Sequence, residues 1–323
     1  MIKTFKGKLK ITEPPLDFQR LGNPSQYKPG ESAHYSAISS DKIRSSMLEN
    51  EIFTDREFSN INSTGCTAVA ANFLCSSPFA GYNYYIAEKY PEELIRALRF
   101  AARAFRAGRA EVILPAGREN IISVYSDRIQ RLPNIFMRIV KDRYPAYKSN
   151  ILKRQLYKCT EINKENICSG GVLLIAPFKL LQIFYAVTED AEAPDIDRAI
   201  ITEKGSYVLS ATRRETVKAF LEKANQPVDG FLIRDSLLNG KSVVNPEIET
   251  ISDTRVFFIM QENPISLSNC ISCGKCARIC PAGLNRPYSF LVLERKKGLF
   301  SFKEVPECMK CGLCGFFCPG FKD

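Results

Sequence analysis

The sequence predicts an α/β domain, then a small α+β module, then a cysteine-rich C-terminal domain. Three observations carry that expectation. Between about 61 and 190, strand-length apolar runs alternate with segments of helical periodicity, which argues for helices layered on a mostly parallel sheet. From about 195 to 250 the pattern changes to strand, strand, helix, strand. Finally, "CISCGKCARICP" at 270–281 and "CMKCGLCGFFCP" at 308–319 both read C-x2-C-x2-C-x3-C-P.

Residues 1–60 are poor in long apolar runs and rich in turn formers ("EPP", "GNPSQYKPGES"), which predicts an irregular arm or cap. It holds the single histidine, His34, read as a surface residue without a role. In "PEELIRALRFAARAF" (91–105), Leu94, Ile95, Leu98, Ala101, Ala102 and Phe105 recur at helical spacing, and Gly108 is placed to stop the helix. "AEVILP" follows as a buried strand, and later "GVLLIAP" and "FKLLQIFYAV" read as strand and helix. "DRAIITEKGSYVLS" predicts a hairpin turning near Lys204–Gly205. Thr212 and Glu215 stand in capping-box register ahead of a short helix. "GFLIRD" is a further strand, with "RVFFIM" (255–260) pairing nearby.

The chain has 323 residues, 45% hydrophobic and 25% charged, ordinary values for a soluble globular protein with two or three domains. Its first residues, "MIKTFKGKLKITEPP", contain no apolar core of a secretory signal. The most apolar stretch, 170–187, is interrupted by Pro177 and Lys179 and reads as strand plus helix rather than a membrane span. These features predict a cytoplasmic chain that reaches the membrane's cytoplasmic face only through partner subunits. A net charge of +10 calls for an acidic partner, and the spread of basic residues along the chain argues against nucleic acid. Arg96, Arg99, Arg103 and Arg106 form a stripe opposite the apolar face of their helix. A solvated face is the simple reading of that stripe; a docking surface for an acidic electron carrier is the sharper one.

Of the twelve cysteines, eight fall in the two motifs. Cys66, Cys75, Cys159 and Cys168 stand outside them, in pairs whose spacing matches no ligand motif, and read as small core residues. A C-x2-C-x2-C run wraps a loop so that three thiolates point inward, as a 4Fe–4S cluster requires; in two-cluster domains the cysteine before proline ligates the other cluster. That rule assigns Cys270, Cys273, Cys276 and Cys318 to the first cluster, and Cys308, Cys311, Cys314 and Cys280 to the second. Gly274, Gly312 and Gly315 suit loops that wrap tightly, and Pro281 and Pro319 restrict the turn after each crossing ligand. Zinc sites draw on separated ligand pairs, and a third tandem cysteine has no place in them. Two clusters in one ferredoxin-like module lie close enough to relay electrons, so this metal-binding domain predicts electron transport.

The order of these parts resembles the C component of the Rnf-type ion-translocating electron transport complex over roughly 61–323. "INSTGCTAVAANFL" (61–74) is similar to the family's Asn-Gly-Ala-Glu-Cys-Glu-Pro segment, with Asn62 and Cys66 matching. "RYPAYKSNILKRQLY" (143–157) sits where the family has Tyr-Pro, Gly-Gly-Glu-Lys and a helix, and "LLIAPFKLLQIFYAV" resembles its following strand and helix. "DRAIITEKGSYVLSATRRETVKAFLEKA" resembles the β-grasp module called SLBB. The resemblance implies an α/β domain at 61–190 related to the flavin- and NADH-binding fold of complex I. It further implies an SLBB-like module at 195–250 and a dicluster ferredoxin-like domain at 262–323.

Several departures bear on function. The family's glycine-rich flavin loop precedes its Asn-Gly-Ala-Glu segment, yet residues 39–60 contain no glycine. Such a loop lets backbone amides approach a phosphate, which side chains obstruct. Gly65 replaces the family's acidic residue, Ala146, Tyr147 and Ser149 fall in its Gly-Gly-Glu region, and its N-terminal sandwich domain is shortened or absent. The expectation is therefore an electron-relay subunit with two 4Fe–4S clusters and no nominated catalytic residue. Its partner would be an acidic ferredoxin- or flavodoxin-type protein or a neighbouring subunit. FMN and NADH belong to the alternative, a flavin-dependent NADH dehydrogenase akin to relatives that reduce cobalamin. Further alternatives are a dicluster subunit of a heterodisulfide-reductase or quinone-linked dehydrogenase type, and a nucleic-acid-binding protein with structural clusters.

Overall fold

Alternate residues of one parallel sheet face two separate apolar layers, and helices cover both. The structure, a computed structural model, describes residues 3–5, 8–10, 18–21, 38–75, 80–142, 144–158, 171–188, 195–226, 230–238, 240–261, 271–284, 308–309 and 311–318. Strands β1 (Lys3–Phe5) and β2 (Lys8–Lys10) form an antiparallel ribbon, and β3 (Gln19–Arg20) joins the second sheet below. His34, Cys159 and Cys168 lie outside the described residues.

The N-terminal segment is not an irregular arm over 38–60. It forms helices α1 (Ser40–Glu49) and α2 (Asp55–Thr64). The Ser39 hydroxyl accepts from Lys42 N at the start of α1, and Thr54 and Glu57 form a reciprocal capping box on α2. Their apolar positions are few, which weakens the periodicity, but Ile43, Met47, Phe58 and Ile61 are all buried in the main core. Phe58 stacks on Phe105 with ring centroids 4.7 Å apart.

Next in chain order come β4 (Ala68–Asn72), α3 (Tyr82–Lys89), α4 (Pro91–Ala104), β5 (Arg109–Pro115), α5 (Glu119–Ile129), β6 (Ile135–Val140), α6 (Ser149–Tyr157), β7 (Val172–Ile175) and α7 (Pro177–Thr188). The four strands pair in parallel in the order β6-β5-β4-β7. Val69, Ala71, Val112 and Leu114 face the layer that includes α4 and α7, while Ala68, Ala70 and Ile113 face Leu152 of α6. Helix α4 buries Leu94, Ile95, Leu98 and Ala101 as its period requires. It ends at Ala104, and the left-handed residue beyond it is Arg106 (φ 52°), so Gly108 is not its stop.

The second sheet follows: β8 (Ile196–Ile201), β9 (Ser206–Ala211), α8 (Val217–Lys223), β10 (Phe231–Arg234), β11 (Lys241–Ser242) and β12 (Val256–Met260). Its order is β11-β10-β12-β8-β9-β3, with β8 and β9 as a hairpin and β12 parallel beside β8. The module therefore runs past 250, because its central strand is β12. Thr216, not Thr212, caps α8 by accepting from Ala219 N; Thr212 N donates to Glu215 at 3.3 Å one turn earlier. Phe220 and Leu221 of α8 pack on Ile200, Leu232 and Phe257, and the opposite face, with Ala199, Val208 and Phe258, joins the main core. Short helices α9 (Lys275–Ile279) and α10 (Leu313–Phe316) belong to the cysteine motifs. Among the described residues, no helix is long and apolar enough to cross a membrane.

The two sheets are joined at the fully buried Asp197 of β8. Its carboxylate accepts from Arg20 Nη1 at 2.7 Å and Nη2 at 2.9 Å, from Tyr85 at 2.7 Å, Tyr90 at 2.6 Å and Ser210 at 2.6 Å. The Tyr82 hydroxyl donates to the Asp197 carbonyl. Removing the acceptor would strand a guanidinium and three hydroxyls. Asp197→Ala is expected to cost about 3–5 kcal/mol, read as a large drop in Tm; an unchanged Tm would refute the clamp.

Candidate metal centre

Both cysteine motifs fold alike. Gly274 (φ 69°) and Gly312 (φ 79°) take left-handed backbone at the N-caps of α9 and α10, so each helix starts just after Cys273 or Cys311. Cys276 and Cys314 then occupy equivalent positions in their helices, and the two helices are in contact. Gly315, expected in a tight loop, lies within α10, where the requirement is helical backbone.

The motifs differ in exposure. Cys311 is buried, Cys276, Cys280, Cys308, Cys314 and Cys318 are half-buried, and Cys273 is exposed; Cys270 lies outside the described residues. Burial raises the Cys311 thiol, with Cys280 and Cys308 as charged neighbours adding to it. Burial likewise pushes Cys314 up to about 11, helped by Cys311, Cys308 and Cys276. The crossing cysteine Cys280 of the first motif thus shares a neighbourhood with the second motif. Among the described residues no three of these side chains converge as a ready-made metal site. The donor set nonetheless fits iron–sulfur ligation: thiols in tandem on left-handed loops, with the proton given up when metal binds.

One motif is docked on the rest of the chain. Tyr144 Oη donates to the Cys311 carbonyl, and the Tyr144 ring lies 5.6 Å from that of Tyr147. A Cβ on Gly312 would fall 2.1 Å from the Leu238 carbonyl oxygen, so only glycine permits this approach to the loop after β10. Beside it, a cleft of about 720 Å³ is lined by Tyr147, Lys148, Arg234, Asp235, Lys241 and Arg255. Much of its charge is already paired, Arg234 with Glu249 at 2.7 Å and Arg255 with Asp235 at 3.1 Å.

The docking point lies near the carboxyl end of the parallel sheet. Strand order reverses between β4 and β7, and crevices of such sheets form beyond the carboxyl ends at that switch. Asn62 and Cys66, which carried the sequence resemblance, precede β4 and so lie at its amino end. The residues at its carboxyl end are Asn72, Phe73, Leu74 and Cys75. Asn72 donates to the Tyr147 carbonyl at 2.9 Å and accepts from Leu74 N at 3.2 Å, while Phe73 and Leu74 are fully buried. Cys75 N donates to Asp142 at 3.1 Å, and Tyr84 donates to the same carboxylate. Burial raises the Asp142 carboxyl, with the Tyr84 and Cys75 donors and Arg118 opposing the shift. A second Asn and Cys closing the Ala-rich run "AVAAN" were the available sequence signal for this position.

On the sheet face covered by α6, Glu111 is buried and accepts from Arg138 Nε at 2.6 Å and Tyr157 at 2.5 Å. Burial raises that carboxyl, but these donors and Arg109 outweigh it and hold it below its ordinary range. Lys153 of α6 is fully buried, and its Nζ has no hydrogen-bond partner. Burial lowers this amine to about 8, with the neighbouring Cys66 opposing the shift; burial pushes the Cys66 thiol up to about 11.

Residues 262–319 match the 4Fe-4S dicluster domain family. The chain carries a 4Fe–4S dicluster domain. A sequence comparison with curated proteins finds no match. Among solved structures, a chain of an NAD+-reducing [NiFe]-hydrogenase in the H2-reduced state aligns with TM-score 0.55 and 10% identity, over 72% of this chain and 49% of that one. The air-oxidized state aligns with TM-score 0.52 and 11% identity, over 68% and 46%. This iron–sulfur chain thus spans about half the length of the solved chains it matches, and at that identity the likeness is one of fold.

Two outcomes follow from these contacts. Gly274→Ala meets open space and bears only left-handed strain of about 1–2 kcal/mol, whereas Gly312→Ala also clashes with Leu238; only the latter should release the docked motif, read as proteolytic cleavage after 300 and a clearly larger drop in Tm. For Lys153, the folded amine titrates near 8 and the unfolded one near 10.5, so the burial penalty is complete below pH 8 and fades as pH rises toward 10.5. Lys153→Met is expected to stabilise the chain by about 3 kcal/mol at pH 7, and by progressively less toward pH 10, in chemical denaturation.

Proposed function

We propose that this chain is an electron-transfer subunit, similar to the C component of an Rnf-type complex, that relays single electrons between redox partners. The observation that carries the reading is the pair of complete C-x2-C-x2-C-x3-C-P motifs, matched by the dicluster family, in contact with each other and docked on an α/β unit. Cys270, Cys273, Cys276 and Cys318 would hold one cluster, and Cys308, Cys311, Cys314 and Cys280 the other. Each bound cluster supplies one-electron uptake and release. The chain's own residues hold the second motif against Tyr144 and Leu238 and exclude water around Cys311. Burial and hydrogen bonding around the sulfurs would tune the potential of that cluster.

The domain limits are 61–190 for the α/β unit, 195–260 for the SLBB-like module and 262–323 for the dicluster domain, with 38–60 packed on the first of these. The strand order of the module, with the last strand parallel to the first, supports its β-grasp assignment. Working within a larger assembly accords with the hydrogenase-like fold, and membrane contact would come through other subunits.

NADH oxidation by the chain alone is disfavoured. Residues 39–60, where the resemblance calls for a glycine-rich phosphate loop, run through α1 and α2. At the carboxyl end of β4, Phe73 and Leu74 are fully buried and their side chains fill the space.

The test is anaerobic reconstitution with iron and sulfide, then visible spectra after NADH and after dithionite, with an assay for released flavin. Bleaching by dithionite alone, without flavin, is expected. Bound flavin and bleaching by NADH would establish the dehydrogenase alternative instead.

A further inference from the structure

Resting on the relay reading, the asymmetry of the two motifs assigns them different jobs. The second motif is covered by the chain itself: Cys311 is buried, the Tyr144 hydroxyl caps its carbonyl, and Gly312 abuts Leu238. The first motif is open. Ile271 is 64% exposed, and Cys273, Lys275, Arg278 and Pro281 are exposed as well. Ser272 (φ 56°) and Gly274 (φ 69°) are both left-handed, so the backbone doubles back sharply around Cys273. The sequence from 263 to 293 contains no Asp or Glu, while Lys275, whose ammonium lies 5.9 Å from the Phe317 ring centroid, and Arg278 follow the exposed turn.

We infer that the face formed by Ile271, Cys273, Lys275 and Arg278 is the electron port of the chain, and that it docks a small acidic electron-transfer protein. An exposed apolar side chain within a cationic rim matches the anatomy of a transient interface, a small apolar centre surrounded by polar groups. Opposite charge across it speeds encounter and sets orientation. The exposed thiolate ligand brings the cluster of Cys270, Cys273, Cys276 and Cys318 within reach of such a partner. The cluster bearing Cys311 then faces the interior of the assembly.

The competing surface is the arginine stripe expected along α4, which is partly consumed and which the structure breaks, because Arg106 lies beyond the helix end at Ala104. Arg103 donates to the Ile38 carbonyl and Arg96 is half-buried, leaving Arg99 and Arg106 exposed.

The experiment uses the reconstituted full chain and a purified acidic flavodoxin as probe. Binding is measured by titration, and flavodoxin reduction by stopped flow, at several salt concentrations. The variants are Arg278→Glu, Lys275→Glu with Arg278→Glu, and Arg99→Glu with Arg106→Glu, each checked for iron content and visible spectrum before the probe is added. The double reversal at 275 and 278 should weaken binding and slow association roughly tenfold or more at low salt, with Arg278→Glu giving part of that effect and the α4 pair giving none. Loss of binding only in the α4 pair would move the port to that helix and overturn the inference, as would unchanged binding in every variant. Failure of the wild-type chain to assemble clusters would remove the relay reading, and the port with it, and would be evident before any probe is present.

Discussion

A single buried carboxylate, Asp197, sets the relation between the two sheets. A charge with no access to water is tolerated only when opposite charge and hydrogen bonds replace its hydration. Here a bidentate guanidinium, two phenols and a serine hydroxyl do so, and they come from three parts of the chain: Arg20 near the N-terminus, Tyr85 and Tyr90 from α3 and its end, and Ser210 from the second sheet. Arg198, the next residue, is buried as well and donates to the Ala211 and Thr254 carbonyls while lying 5.1 Å from the Phe178 ring centroid. Together these bonds fix where the loop after β10 stands relative to the carboxyl end of the parallel sheet. Tyr144 and Leu238, one from each unit, are thereby placed to receive the second cysteine motif.

On the proposed function, that position makes a fold shared with a chain of an NAD+-reducing hydrogenase a scaffold for a relay. The carboxyl ends of a parallel sheet leave room for a ligand only where side chains stay small. Phe73 and Leu74 close that room at β4, Asn72 spends its amide on Tyr147 and Leu74, and a cysteine motif is docked nearby. On the proposed reading, the cationic surface would serve encounter with a protein.

Strong periodicity made α4, β5, β7 and α7 legible in the sequence, because each buries a continuous stripe or run. Helices α1 and α2 were not, since each contributes few apolar residues among many polar ones and relies on caps at Ser39 and Thr54. Strand β4 is built largely of alanine, so it carried little β signal. The central place of β12 depends on its pairing with β8, more than fifty residues earlier, which no local pattern contains. For the metal centre the spacing of eight cysteines named the chemistry directly. The burial of one motif and exposure of the other arise from Leu238 and Tyr144, residues remote in sequence and ordinary in type.

The most direct test of the central claim, two clusters close enough to relay electrons, is low-temperature EPR of the dithionite-reduced chain with its iron counted. The account predicts about eight irons per chain and two paramagnetic clusters that broaden and split each other's signals. Two independent, unsplit signals, or iron sufficient for only one cluster, would contradict it.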